Sequence, residues 1–151
     1  MPKKGYTNII QMTLKEREQE IIDDFNFFDE WGEKYEHLIG LGKELLPMDP
    51  DLKCAKNLIH GCQSNVWLSS CLKNKKVVFF ADSDALITKG LIALLLKIFS
   101  NAPAKEIALF ELSFIKSVGL DQHLSMNRSN GLVKMIEKIK KISLNYLKDS
   151  L

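Results

Sequence analysis

Val66-Trp67-Leu68-Ser69-Ser70-Cys71-Leu72, then Lys73-Asn74-Lys75-Lys76, then Val77-Val78-Phe79-Phe80 is the stretch that decides the architecture. The first run alternates and begins with strand formers. The second is β-branched and aromatic, and the lysine-rich interval has the length and polarity of a hairpin turn. Two antiparallel strands joined by a solvated turn follow from this pattern.

Upstream, Asn57-Leu58-Ile59 reads as a further short strand, so the expected sheet is antiparallel with about three strands. Between it and the hairpin stands His60-Gly61-Cys62-Gln63-Ser64-Asn65, a cysteine on a glycine hinge among polar residues. Most unpaired cysteines are small core hydrophobes, whereas a thiol at a loop tip is available for chemistry. Downstream, Asp82-Ser83-Asp84 reads as a helix cap. Leu86, Gly90, Leu94 and Ile98 then mark a helix that is apolar on most sides, hence the central buried one.

The pattern continues outward in both directions. Thr13-Leu14-Lys15-Glu16 is a capping box, followed by Ile21, Phe25 and Phe28 on one helical face. A second helix turns Tyr35, Leu38 and Ile39 inward and ends near Gly40-Leu41-Gly42, ahead of Pro47-Met48-Asp49-Pro50. Pro103 suits the first turn of a short helix. The segment from Glu111 to Val118 ends at Gly119, a left-handed C-cap. Ser125 or Asn127 opens a last helix with Leu132, Met135, Ile136, Ile139 and Tyr146 on one face. The expectation is an α+β domain of five or six helices packed on the small sheet, spanning residues 13–151. Residues 1–12 are expected to be a flexible extension, with Met12 a candidate start.

A chain of 151 residues fits one domain able to bury about 70% of the surface its unfolded form would expose. Hydrophobic residues at 46% and charged residues at 26% are ordinary for a globular protein and argue against disorder. A net charge of +2 with no basic stripe gives no sign of nucleic-acid binding; the lysines of 134–141 alternate with apolar residues as an ordinary solvent face. The longest apolar run, Leu91 to Leu96, is far short of the roughly 20 residues that span a membrane. The first residues lack the apolar core of a signal peptide. With an odd count of three cysteines, reduced thiols in a cytoplasmic setting are expected.

Three chemistries compete for Cys62. A cysteine hydrolase needs an imidazole within reach of the thiolate; His37, His60 and His123 are available, but none sits in a hydrolase signature, and Cys62 precedes a strand rather than opening a helix. A metal or iron–sulfur scaffold would use Cys54, Cys62 and Cys71. These stand eight and nine positions apart, whereas zinc sites favour pairs two to four apart, although cluster scaffolds can gather ligands from separate loops. A sulfur carrier needs one cysteine on a loop that can swing into a partner's site, taking sulfur by the logic of thiol–disulfide exchange. It also needs a pocket that shields the product.

At this point the chain resembles the SufE family, sulfur acceptors for cysteine desulfurases in iron–sulfur cluster assembly. The resemblance rests on three ordered blocks: Gly61-Cys62-Gln63-Ser64 with Val66-Trp67; Ala81-Asp82-Ser83-Asp84-Ala85 with Lys89-Gly90-Leu91; and Leu124-Ser125 through Arg128-Ser129-Asn130-Gly131-Leu132. It implies a fold shared with the IscU-like scaffold proteins and a persulfide on Cys62. It implies a pyridoxal-phosphate desulfurase (SufS-like) as donor, an iron–sulfur scaffold (SufB-like) as recipient, and a resting state in which the thiol is shielded until the loop moves. The pyridoxal phosphate would belong to the partner, and the protein would be a co-substrate and activator with no cofactor or independent turnover of its own. His60, Gly61, Gln63, Ser64, Asp82, Ser83, Asp84 and Arg128 are then loop-positioning or partner-contact residues. Read as residues alone, Cys71 is a core cysteine, Cys54 an inert loop thiol, and Trp67 a packing residue beside the loop. His60 either stabilises the thiolate or faces solvent. Arg128 sits unfavourably near a helix start, which suggests a pairing with Asp82 or Asp84.

Overall fold

The computed structural model describes residues 12–149. Its two strands, β1 (Val66–Lys73) and β2 (Lys76–Ser83), pair antiparallel in register from Val66↔Ser83 to Lys73↔Lys76. Asn74 and Lys75 both have positive φ (52° and 64°), the signature of a type I′ turn, whose twist matches that of the strands it joins. Alternation sends Val66, Leu68, Val77, Phe79 and Ala81 into the core, while Trp67 and Asp82 share the opposite face.

The expected third strand is absent among the described residues. Residues 50–57 coil instead into two 3-10 turns, Pro50–Leu52 and Ala55–Asn57. That leaves too little extended chain for a ladder: Leu58 makes a single bridge to Trp67, and Ile59 N–H donates to Val66 O at 2.9 Å.

Seven α-helices are described where five or six were expected. They are α1 (Leu14–Phe27), α2 (Trp31–Lys43), α3 (Leu86–Phe99), α4 (Ala104–Leu109), α5 (Phe114–Ser117), α6 (Leu120–His123) and α7 (Met126–Asp149). The additional helix arises because Gly119, at φ +79°, ends α5 and immediately starts α6. The capping box of α1 is present in both directions between Thr13 and Glu16. The expected N-terminal extension lies, Met12 apart, outside the described residues.

Helix α3 is the centre of the core: Leu91–Leu96, Ile98 and Phe99 are all buried. Leu86 departs from the expected inward face and is 61% exposed in the first turn. Helix α2 crosses α3 so closely that a Cβ on Gly90 would stand 2.3 Å from Leu38 O, so only hydrogen fits at that position. The charged pair Arg17 and Glu18 is buried and works on helix ends. Arg17 donates to Ile98 O in the last turn of α3 and to Ser100 O and Asn101 O just beyond it. Glu18 accepts from the Ser113 and Phe114 N–H groups at the start of α5. Both satisfy backbone groups that a helix terminus leaves without partners.

Candidate functional site

The loop carrying Cys62 is narrow at its feet and open at its tip. Ile59 N–H donates to Val66 O, closing residues 60–65 into a loop. At the second foot, Asn65 N–H donates to Asp84 Oδ1 (3.1 Å), Asp84 N–H donates to Asn65 O (3.3 Å) and Ser83 Oγ donates to the same carbonyl (2.8 Å). Gly61 supplies the bend with φ +92°, a conformation that a side chain makes costly. A Cβ there would also meet the Lys134 side chain at 3.0 Å.

The apex places Cys62 against the first turns of α7. Ser125 caps that helix, its Oγ accepting from Arg128 N–H at 3.3 Å. Cys62 is half-buried, and Sγ donates weakly to Gly131 O at 3.7 Å. Asn127 Nδ2 donates to Gln63 Oε1 at 3.0 Å. Gly131 leaves the approach open: a Cβ on it would lie 3.5 Å from Sγ. Cys62 also opens onto a cavity of about 200 Å³ that Gln63, Ser64, Thr88, Asn127, Arg128 and Met135 help to line.

Burial pushes the Cys62 thiol above its ordinary pKa, because the thiolate gives up hydration on entering the cavity. The Gly131 carbonyl accepts from S–H, a bond that only the protonated sulfur can donate. The resting site therefore holds a neutral, half-buried thiol.

The loop and cavity bring together Cys62, Gln63, Ser64 and Arg128, with Gly61 as the hinge. His60 is exposed, beside Lys134, Lys138 and Lys141 on a neighbouring groove rather than in the cavity. The expected cap at Asp82-Ser83-Asp84 is not formed, since Ala85 is the N-cap of α3 and has no side-chain bond. The three polar side chains are engaged elsewhere. Ser83 and Asp84 hold the foot of the loop. Asp82, still within β2, bonds Lys53 at 2.6 Å and Lys89 at 3.2 Å. Burial pushes the Asp82 carboxyl up, but bonds from Lys53, Ser83 N–H and Lys89 outweigh it and hold the carboxyl below its ordinary range. Arg128 pairs with neither aspartate: the lysines already occupy Asp82, and Asp84 is turned to Asn65.

Cys71 is exposed, not a core residue. It lies on the face of β1 opposite Val66 and Leu68, toward the hairpin end. About five strand residues, roughly 17 Å at 3.3 Å per residue, separate it from the start of β1 beside the Cys62 loop. All three cysteines are free. Among the described residues no group of three His, Cys, Asp or Glu side chains is placed to hold a metal ion. Nor is any described helix long and apolar enough to cross a membrane.

Residue reading passed over Thr88, Asn127, Gly131 and Met135 as parts of the site. Gly131 carried a usable signal, because glycine is unfavourable inside a helix and its presence there points to a packing or functional reason.

Comparison with known proteins places the chain in a family. The SufE family, described as an Fe-S metabolism associated domain, matches residues 19–143. An uncharacterized SufE-like protein of Rhizobium meliloti is 41% identical over 126 residues, covering 80% of this chain and 90% of the relative. SufE-like protein 1 of Arabidopsis thaliana, chloroplastic/mitochondrial, is 41% identical over 128 residues; the match covers 84% of this chain but 34% of that longer protein. A solution structure of a hypothetical protein from Thermus thermophilus superposes with a TM-score of 0.73 at 15% identity, covering 87% of this chain and 96% of the other. That likeness extends to the fold alone.

Proposed function

The chain belongs to the SufE family, and from that premise we propose that Cys62 accepts sulfane sulfur from a pyridoxal-phosphate cysteine desulfurase and passes it to an iron–sulfur scaffold. The observation that carries this reading is the placement of Cys62: at the apex of a loop held by main-chain bonds at its feet and by two contacts to α7 at its tip, facing a cavity, with one weak bond on its sulfur.

The transfer is an exchange between thiols with no net redox change. The Cys62 thiolate attacks the terminal sulfur of a persulfide on the desulfurase cysteine. A bond forms between Cys62 Sγ and that sulfur, the original S–S bond breaks, and the desulfurase thiolate leaves, taking up the proton that Cys62 released. Attack by a scaffold thiol on the carried sulfur repeats the step in the other direction and regenerates Cys62. The neutral resting thiol makes the exchange depend on docking: the loop must carry Cys62 away from the Gly131 carbonyl before the thiolate is readily formed. The protein is then an accessory co-substrate, and pyridoxal phosphate stays with the desulfurase. A compartment reducing enough to keep three cysteines free suits this role.

Incubation with a cysteine desulfurase and L-cysteine, followed by peptide mass analysis, tests the proposal. The expected result is one added sulfur on Cys62, absent without the desulfurase and absent in Cys62→Ser. Sulfur found on Cys71 or Cys54 instead, or no adduct beside an active cognate desulfurase, would refute it. The scaffold alternative has less support, since Cys54, Cys62 and Cys71 do not converge.

A further inference from the structure

We propose that Asn127 is a positioning residue: its hydrogen bond to Gln63 latches the tip of the Cys62 loop onto α7 and keeps the thiol withdrawn. The idea deepens the sulfur-acceptor reading of the same site and rests on it for its purpose, although the latch itself can be measured without any partner.

The argument comes from how unevenly the loop is held. Its feet are fixed through main-chain bonds: Ile59 to Val66, and Asn65 to Asp84 with support from Ser83. Its tip has two ties, and both reach the start of α7. One is the 3.7 Å contact from Cys62 Sγ to Gly131 O, weak because a thiol is a poor donor. The other is Asn127 Nδ2 to Gln63 Oε1 at 3.0 Å, a bond of ordinary length. Gln63 and Asn127 are both exposed, so water competes for them and the bond is easily exchanged. A docking partner can therefore release it, whereas a buried tie would oppose every opening. Asn127 stands one turn before Gly131 on the same helix, and Gln63 is next to Cys62, so once the Asn127 bond is released only the weak thiol contact holds the tip. The loop feet form a hinge, and Asn127 holds the moving end.

The test is alkylation of the full chain by iodoacetamide at neutral pH, with rates at Cys62 and Cys71 resolved by peptide mass. Exposed Cys71, on the far part of the hairpin, serves as the internal reference. Asn127→Ala and Gln63→Met are expected each to raise the Cys62 rate about three- to tenfold, the range of one net hydrogen bond, with Cys71 unchanged. The double variant should be no faster than either single one, because both remove the same bond. An unchanged Cys62 rate in both single variants, additive effects, or a parallel rise at Cys71 would overturn the latch. No desulfurase is present, so these outcomes are independent of whether Cys62 accepts sulfur. If the acceptor reading also holds, Asn127→Ala should take up sulfur at a lower desulfurase concentration, since less of the closed state must be opened on binding. Uptake at an unchanged concentration despite faster alkylation would overturn the latch's part in transfer.

Discussion

Asn65 and Asp84 clasp one another through reciprocal bonds, the Asn65 N–H on the Asp84 carboxylate and the Asp84 N–H on the Asn65 carbonyl. The clasp joins the end of the cysteine loop to the segment leading from β2 into α3. Removing the carboxylate in Asp84→Ala is expected to cost about 1–2 kcal/mol, the scale of a bond to a charged group that is partly hydrated. Urea denaturation measures the loss, and amide exchange should quicken most at Asn65. Protection at Asn65 equal to wild type would contradict this role.

Cys62 should impose a pH dependence on stability. Its folded thiol is raised by burial, so the native state binds the proton more tightly than the unfolded chain does. That stabilisation is complete below the ordinary thiol pKa and is lost as the pH rises through the raised folded value. Denaturation midpoints of wild type should therefore decline over the alkaline range relative to Cys62→Ala, which lacks the group. Parallel curves for the two proteins would count against a buried neutral thiol.

Gly131→Ala separates stability from function. Alanine is favoured over glycine within a helix by about 1 kcal/mol, and its Cβ would meet Sγ at an ordinary contact distance of 3.5 Å. The variant should melt at or above the wild-type temperature. It should nevertheless hold less persulfide after desulfurase treatment, because the methyl group occupies space beside the sulfur. Full persulfide loading would show that the carried atom lies elsewhere in the cavity.

Asp82 acts at a distance from the thiol. It ties Lys53, in the segment before the loop, and Lys89 of α3 to β2. Asp82→Asn should lower stability by about 1–3 kcal/mol, as expected when a partly buried partner of charged groups is lost. The deficit should shrink as the pH falls through the depressed folded pKa of Asp82, where the wild-type carboxylate also becomes neutral. Alkylation of Cys62 relative to Cys71 should remain near wild type. A selective change at Cys62 would instead place Asp82 in control of the loop.

The sequence carried the hairpin, the central helix and the loop that presents Cys62 because each has a strong local cause. These are alternation around a polar turn, an apolar surface nearly all round α3, and a glycine hinge beside Cys62. The third strand does not form because Leu58 and Ile59 are apolar but too few to pair, once Pro50 and its neighbours coil into 3-10 turns. Cys71 faces outward although it reads as a core residue, and alternation bears on it: with Val66 and Leu68 inward, Trp67, Ser69 and Cys71 must point away. The partners of Asp82 are not legible in sequence at all. Lys53 and Lys89 lie 29 residues before it and seven after it, and only the packed fold brings them together.

The acceptor that holds the Cys62 thiol is a main-chain oxygen, and this has an evolutionary consequence. No change of side-chain identity on α7 deletes that carbonyl, so the contact can persist while the residues around it drift. Paired substitutions between loop and helix should therefore concentrate at Gln63 and Asn127, where side chains meet, and leave no trace at the sulfur itself.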